Sequence, residues 1–293
     1  LRQADFADYH AQWVTPLEVV LKEATLYNLP APTQGIASLL ILALYERLEA
    51  AEGNSAATLH GLIEATKRAF LLRDRYVTDP GRLPLELQRL LDEDNLAREA
   101  AEIDMQKALP WPHEPVPGDT IWMGTVDGAG RAVSFIQSIF WEFGSGVVLP
   151  ESGVLWQNRG ISFSLEADSL RGLGPGRKPF HTLNPALARF RDGRTMVYGT
   201  MGGEGQPQTQ AALFSRYAFQ GESLQQAVTA PRWLLGRTWG ENTTSLKLES
   251  RFYPSMVAKL RALGHEVEVL EEAFSDTMGH AGGIVHHQDG LIE

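Results

Sequence analysis

One segment of the sequence governs the fold. It is Gly118-Asp119-Thr120-Ile121-Trp122-Met123-Gly124-Thr125-Val126-Asp127. It follows a proline-rich loop, residues 110–117, and opens an alternating, strand-like run. A threonine at the head of a strand, directly after a loop, is where a self-cleaving hydrolase keeps its nucleophile. Cleavage of the Asp119–Thr120 bond would give Thr120 a free amine that can activate its own hydroxyl. An ordinary threonine in a turn would have the same local sequence. The residues elsewhere in the chain are therefore needed to distinguish a nucleophile from a turn residue.

Composition bounds the class of protein. The chain has 293 residues, 43% hydrophobic and 21% charged, which is typical of a globular protein with its own core. The net charge of -10, without a basic cluster, argues against a nucleic-acid partner. Apolar runs stay well below the length of a bilayer span, so no membrane partner is expected. The absence of cysteine excludes disulfides, thiolate catalysis and thiolate metal sites.

The first residues, Leu1-Arg2-Gln3-Ala4, include no initiator methionine or signal-like segment. The chain is therefore interpreted as a fragment or a processed piece, from which targeting cannot be read. The region that would carry a signal is taken to be missing, and a cytoplasmic location is slightly favoured.

Hydrophobic spacing changes character at Thr120. Before it, apolar periodicity and breakers predict a short strand near residues 17–21 and then helices at 36–51, 55–76, 83–93 and 95–107. After it, two alternating runs flank Asp127–Gly130 and predict a hairpin. Strands are then predicted at 195–198, 246–248, 267–270 and 283–286, with helices at 208–219, 223–230 and 253–263. This order favours an α+β fold with sheets covered by helices in layers.

Five motifs occur together along the chain: Gly118–Thr120 with Asp127, Phe143–Gly146, Gly174–Pro179, Met201–Gly203 and Ala230–Arg232. In this order and spacing they resemble the γ-glutamyltranspeptidase family of N-terminal-nucleophile hydrolases, over nearly the whole chain. The resemblance implies a four-layer αββα sandwich and a precursor that cleaves itself. Residues 1–119 would be the C-terminal half of the large subunit, mainly helical. Residues 120–293 would be the small subunit, with its C-terminus truncated.

The resemblance also implies the catalytic residues. Cleavage falls between Asp119 and Thr120, and Thr120 becomes the nucleophile. Ser138, where the family usually has threonine, would support the nucleophile from the adjoining strand. The backbone N–H groups of Gly202 and Gly203 would form the oxyanion hole.

Several substrate-binding positions depart from the family pattern. Phe140 replaces an asparagine, Arg159 a glutamine, and Ser162 the acidic residue that holds an α-amino group. His181 and Thr182 replace two serines that hold the α-carboxylate. Loss of the acidic partner removes the anchor for an ammonium group, and Arg159 and His181 favour a compact anion. These changes resemble the oxamate amidohydrolase and acylase-like branch of the family.

Simpler interpretations remain open at this point. Gly202 and Gly203 can be a turn that needs positive φ, Ser138 a plain strand serine, Arg159 a salt-bridge partner and His181 a structural histidine. Three neighbouring histidines, His280, His286 and His287, are possible metal ligands. Adjacent strand residues point to opposite faces and no HExxH motif occurs, so neither a metal nor a cofactor is predicted.

The sequence therefore predicts a self-processing amidohydrolase that cleaves a small, carboxylate-bearing, oxamate-like amide through an acyl-threonine intermediate. A γ-glutamyltransferase or glutathione hydrolase is the first alternative, and an unprocessed, non-catalytic homologue is the second. The expected partners are the amide substrate and the two subunits of one precursor, which would form a heterodimer or a dimer of heterodimers.

Overall fold

The computed structural model describes residues 4, 7–48, 55–113, 118–166, 168–236, 238 and 243–293. Its main sheet has five antiparallel strands in the order β1-β2-β5-β6-β10. A hairpin of β3 and β4 and a small sheet in the order β7-β8-β9 complete the strands of the described part. The strands are β1 (Leu17–Val20), β2 (Ala24–Asn28), β3 (Asp119–Val126), β4 (Ala132–Phe140), β5 (Ala186–Phe190), β6 (Thr195–Gly199), β7 (Trp233–Leu235), β8 (Leu246–Leu248), β9 (Val267–Val269) and β10 (Gly282–His286).

The helices of the described part are α1 (Gly35–Glu46), α2 (Ala56–Tyr76), α3 (Glu93–Ala101), α4 (Gly205–Phe214), α5 (Leu224–Thr229) and α6 (Pro254–Ala262). Three of them, α1, α4 and α5, pack against one face of the main sheet, and α2 packs on α1. The first of these is apolar on nearly every side because it is buried between the sheet and α2. The sequence Asn54-Ser55 predicts an N-cap ahead of α2. Ser55 fills this role by accepting a hydrogen bond from the Thr58 N–H. Asn54, the other predicted cap residue, lies outside the described residues.

The hairpin covers the opposite face of the main sheet. Tyr198 of β6 stacks on Phe214 on the helical side, so its neighbours Val197 and Gly199 face the hairpin. A Cβ atom built on Gly199 would lie 2.2 Å from the Trp122 ring, and one on Gly282 would lie 3.0 Å from it. Glycine in β6 and β10 therefore makes the recess into which Trp122 docks the hairpin.

These layers confirm the predicted α+β class. Helices, the five-stranded sheet and the hairpin follow one another as three layers of the predicted αββα order. The outer side chains of the hairpin, including Ile121 (56% exposed) and Phe135 (47% exposed), face solvent in this structure.

Some predicted elements are wrong in detail. The helix predicted at 83–93 is absent; Leu87–Leu91 forms a 3₁₀ turn instead, because Pro84 disfavours helical backbone at the residue before it. The helix predicted at 95–107 ends at Ala101. Strands β2, β5 and β7 are not predicted from the sequence, and the helix predicted at 208–219 becomes a π-helix from Ser215 onward. Across the described residues, no helix is both long enough and apolar enough to cross a bilayer.

Candidate active site

Thr120 lies at an irregularity in the hairpin ladder. Asp119 pairs with Phe140 and Ile121 with Gln137, so Thr120 lies opposite two residues, Ser138 and Ile139. Such a bulge bends the strand and re-aims the side chains beside it. Thr120 is half-buried, and its Oγ lies 3.5 Å from Nε2 of Gln206.

The predicted oxyanion glycines form a turn between β6 and α4. Gly202 has φ +105 and Gly203 has φ +51, a backbone region that side chains rarely adopt. A Cβ atom on Gly202 would lie 2.7 Å from Cγ2 of Thr238. Gly118, two residues before Thr120, packs over this turn, since a Cβ built on it would lie 3.5 Å from Cα of Gly203. The segment around the predicted cleavage site therefore lies beside the predicted oxyanion hole.

A buried polar network holds the glycine turn from behind. Gln34 donates from Nε2 to the carbonyl oxygens of Gly203 and Thr182, both at 2.8 Å. Arg73 donates to Oε1 of Gln34 at 3.1 Å and forms a salt bridge with Glu204 at 2.7 Å. Burial opposes the charge of Arg73, but Asp74 and Glu204 outweigh it and raise the pKa of the guanidinium. The network stays ionised and fixes the turn against α1 and α2.

Arg159 is a buried cation with no counter-ion among the residues that the structure describes. Its guanidinium lies 3.9 Å from the ring centroid of Phe140, and Nη1 and Nη2 have no hydrogen-bond partner among the described residues. Burial lowers the pKa of Arg159 to about 9. Phe140 has φ +82, and its N–H donates to Oγ of Ser138 at 2.8 Å. The end of β4 therefore carries both the residue opposite Thr120 and the ring under the guanidinium.

His181 lies within the electrostatic reach of Arg159. Burial lowers the pKa of His181 to about 3, and the charges of Arg159 and Lys178 act in the same direction, so the imidazole is neutral. Its Nδ1 is buried without a partner among the described residues, as are Oγ of Ser162 and Oγ1 of Thr182. A buried polar atom without a partner costs about 1–3 kcal/mol. The unpartnered atoms of Arg159 and His181, which lie within electrostatic reach of each other, indicate a site built for a ligand.

The structure thus connects most predicted site residues through a series of direct contacts. Gly118 touches both the Phe140 ring and Gly203, and Phe140 in turn touches Arg159. Two of the histidines considered as metal ligands in the sequence have carboxylate partners. His280 pairs with the exposed Asp276, and His287 pairs with Glu293 near the chain end.

One group of side chains elsewhere has the spacing of metal ligands. Ligand atoms of His60, Glu64 and His265 lie within 4.8 Å of one another, all buried. His60 Nε2 contacts the Asp104 carbonyl at 2.9 Å and Nδ1 contacts His265 Nε2 at 2.7 Å. The ammonium of Lys67 lies 2.7 Å from Glu64 and takes the place beside the carboxylate that a cation would need. We therefore interpret the group as a hydrogen-bonded structural cluster.

Sequence reasoning missed two residues of the site. Gln34 and Gln206 are fully buried and contact the glycine turn and Thr120, respectively. A single glutamine in a turn or in the first turn of a helix carries no pattern that would single it out. Gln34 gains its partners where the start of α1 meets the glycine turn, and Gln206 gains Thr120 where the start of α4 meets the hairpin.

Comparison with known proteins gives the family. The profile described as Gamma-glutamyltranspeptidase matches residues 1–292, and the chain belongs to this family. It is 56% identical over 289 residues to an oxamate amidohydrolase proenzyme of Klebsiella pneumoniae subsp. pneumoniae, covering 99% of this chain and 54% of that protein. It is 39% identical over 291 residues to a glutathione hydrolase-like YwrD proenzyme of Bacillus subtilis, covering 99% and 55%.

The fold comparison agrees. A cephalosporin acylase from Bacillus halodurans superposes with a TM-score of 0.87 at 30% identity, covering 100% of this chain and 53% of that one. A glutathione hydrolase proenzyme of Escherichia coli is more distant, at 27% identity. The predicted family and its oxamate amidohydrolase and acylase-like side are therefore confirmed. The chain spans about half the length of the curated relatives that it matches.

Proposed function

We propose that this chain belongs to a self-processing amidohydrolase acting on a small amide that carries a carboxylate, with oxamate as the reference substrate. The observation that carries the proposal is the guanidinium of Arg159, buried over Phe140 with no partner in the described part of the chain. A planar carboxylate can accept two parallel N–H donors from such a fork. The similarity to an oxamate amidohydrolase proenzyme supports the same substrate class.

The first step would be self-cleavage. Oγ of Thr120 attacks the Asp119 carbonyl, the peptide bond shifts from nitrogen to oxygen, and water hydrolyses the resulting ester. This frees the α-amine of Thr120 and divides the precursor into a large part that contains residues 1–119 and a small part that contains residues 120–293. The two parts stay together as a heterodimer, held by the sheet in which β2 pairs with β5. A dimer of such heterodimers is a further form that the proposal allows.

Turnover would use the same oxygen. The amine accepts the proton of Thr120 Oγ while Oγ bonds to the amide carbon, and the N–H groups of Gly202 and Gly203 hold the oxyanion. The proton then passes to the leaving nitrogen, ammonia departs, and water hydrolyses the acyl-threonine. Oxamate would give oxalate and ammonia. Ser138 would support the nucleophile from β4, while Arg159 holds the carboxylate and neutral His181 and Thr182 line the approach.

Substrate comparison tests this proposal. The full-length protein should hydrolyse oxamate in preference to acetamide, which lacks the carboxylate, and to a γ-glutamyl anilide. Arg159→Lys should lower kcat/KM for oxamate roughly 10²- to 10³-fold, because two charge-assisted hydrogen bonds are lost, and should affect acetamide far less. Preference for the γ-glutamyl anilide would support the glutathione hydrolase alternative instead. An uncleaved protein without amidase activity would support the non-catalytic one.

A further inference from the structure

Gln206 has an unused polar atom beside the nucleophile. It occupies the first turn of α4, its side chain is fully buried, and its backbone N–H donates to the Gly203 carbonyl at 3.3 Å. Nε2 lies 3.5 Å from Thr120 Oγ, at the outer limit of a hydrogen bond. Oε1 is buried and has no partner among the described residues. Since an unpaired buried acceptor is costly, Oε1 indicates a donor that arrives later.

Self-cleavage would supply such a donor on the correct residue. In the intact chain the nitrogen of Thr120 is a peptide amide in β3. After cleavage it is an amine with additional N–H groups, on the same residue whose hydroxyl lies near Nε2 of Gln206. The oxygen and nitrogen of a carboxamide are separated by a distance similar to that between the amine and the hydroxyl of one threonine. One carboxamide can therefore contact both groups.

We propose that Gln206 is a positioning residue for the N-terminal threonine, with Nε2 donating to Oγ and Oε1 accepting from the α-amine. This inference rests on the proposed function, because it needs the free amine. The arrangement leaves the amine lone pair directed at the hydroxyl proton. It also places a donor on the oxygen that becomes negative when that proton leaves, which stabilises the alkoxide.

The proposal gives a pH dependence with a definite sign. The amine acts as a base only when deprotonated, so kcat/KM rises with pH through the pKa of the amine, which is about 7.7–8.0 when unperturbed. A carbonyl that accepts from the ammonium favours the charged form and raises this pKa. Gln206→Leu should therefore move the acid limb to lower pH by about half a unit to one unit. Gln206→Glu places a carboxylate there and should move it to higher pH by about one unit or more.

The experiment measures kcat and KM for oxamate across pH in the full-length wild type and in both variants. Gln206→Leu should also lower the maximal kcat about tenfold, the equivalent of one hydrogen bond, while KM stays near the wild-type value. Gln208→Leu is the matched control. Gln208 is equally buried on the same helix but bonds to the backbone of Glu204 and Leu235, so this variant should lower Tm without moving the acid limb.

A variant that fails to cleave itself is prepared from two co-expressed pieces, the second beginning at Met-Thr120, from which the initiator methionine is removed. Opposite shifts of the acid limb in Gln206→Leu and Gln206→Glu support the proposal. Unmoved limbs, or a change in KM alone, overturn it and leave the proposed function standing if the wild type hydrolyses oxamate. A wild type that neither cleaves itself nor hydrolyses any amide overturns both.

Discussion

Two arginines stacked on aromatic rings differ in what else they contact. Arg159 lies 3.9 Å from the Phe140 centroid and pairs with no carboxylate of the described residues, whereas Arg171 lies 4.0 Å from the Phe180 centroid and pairs with Asp74 at 3.2 Å. Burying an unpaired cation is expensive. We interpret the free-energy cost of burying the Arg159 charge as the cost of keeping a carboxylate-binding site ready for substrate.

Removing the charge should therefore stabilise the substrate-free protein. Arg159→Met is expected to raise the free energy of unfolding by about 1–3 kcal/mol and to abolish oxamate hydrolysis. Oxamate should raise the Tm of the wild type and leave that of the variant unchanged. Arg171→Met, the matched control, breaks a pair and should lower Tm. Thermal unfolding of the full-length proteins measures both, and a destabilised Arg159→Met would contradict a site that lacks an internal counter-ion.

The sequence predicts which residues belong to this site better than it predicts how buried they are and which partners they have. Arg159, His181 and Phe140 could be singled out by position, but their burial and missing partners could not, because these depend on how residues 141–180 fold back over β4. No pattern in the sequence singled out Gln206. Its importance comes from the meeting of α4 with the hairpin, which is a contact between elements far apart in the chain.

The hairpin is positioned on the main sheet by one large side chain, which packs over two glycines. Trp122 fits over Gly199 and Gly282, and its Nε1 donates to Ser134 Oγ at 2.9 Å. Thr120, two residues earlier on the same strand, faces the same side of the hairpin. The fit of Trp122 therefore sets how far Thr120 lies from α4 and the glycine turn.

Gly199→Ala should displace the hairpin. Its Cβ would lie 2.2 Å from the Trp122 ring, so the ring must move, and we expect a loss of stability of about 1–3 kcal/mol together with slower self-cleavage. Gly128→Ala, at the open tip of the hairpin with nothing within 4 Å, serves as control and should change neither. Urea unfolding and the time course of chain cleavage on a denaturing gel provide the measurements. Wild-type cleavage in Gly199→Ala would show that Trp122 does not set the position of Thr120.

Elements with strong local signals were predicted, and those that depend on partners were not. The hairpin and α2 have a clear turn and a clear cap, and both form. Strand β5 was missed because its five residues acquire their pairing only between β2 and β6. The helix predicted at 83–93 had apolar spacing, but Leu83, the residue before Pro84, has extended backbone with ψ 127, and only Leu87–Leu91 forms a 3₁₀ turn.

At the scale of the whole molecule, two buried neutral histidines link stability to pH. Burial lowers the pKa of both His181 and His265 to about 3, whereas an unfolded histidine titrates near 6.5. As the pH falls below about 6.5 the unfolded state binds protons that the folded state does not, so stability present above this pH is lost toward pH 3. Two such protons give a slope of up to about 2.7 kcal/mol per pH unit.

The slope can be assigned to individual residues. Urea unfolding of the full-length protein between pH 7 and 5 should show the loss, and His181→Gln should remove about half of the slope. A wild-type stability that stays flat across this range would mean that neither buried histidine is held neutral.

In the proposed mechanism Thr120 is both the cleavage point and the nucleophile. The most direct test is the intact mass of the purified full-length protein, with the N-terminal residue of each species, in the wild type and in Thr120→Ala. We expect two pieces in the wild type, the smaller beginning at Thr120, and a single inactive chain in Thr120→Ala. A Thr120→Ala protein that still divides at this bond, or a wild type that remains one chain after long incubation, would contradict the account.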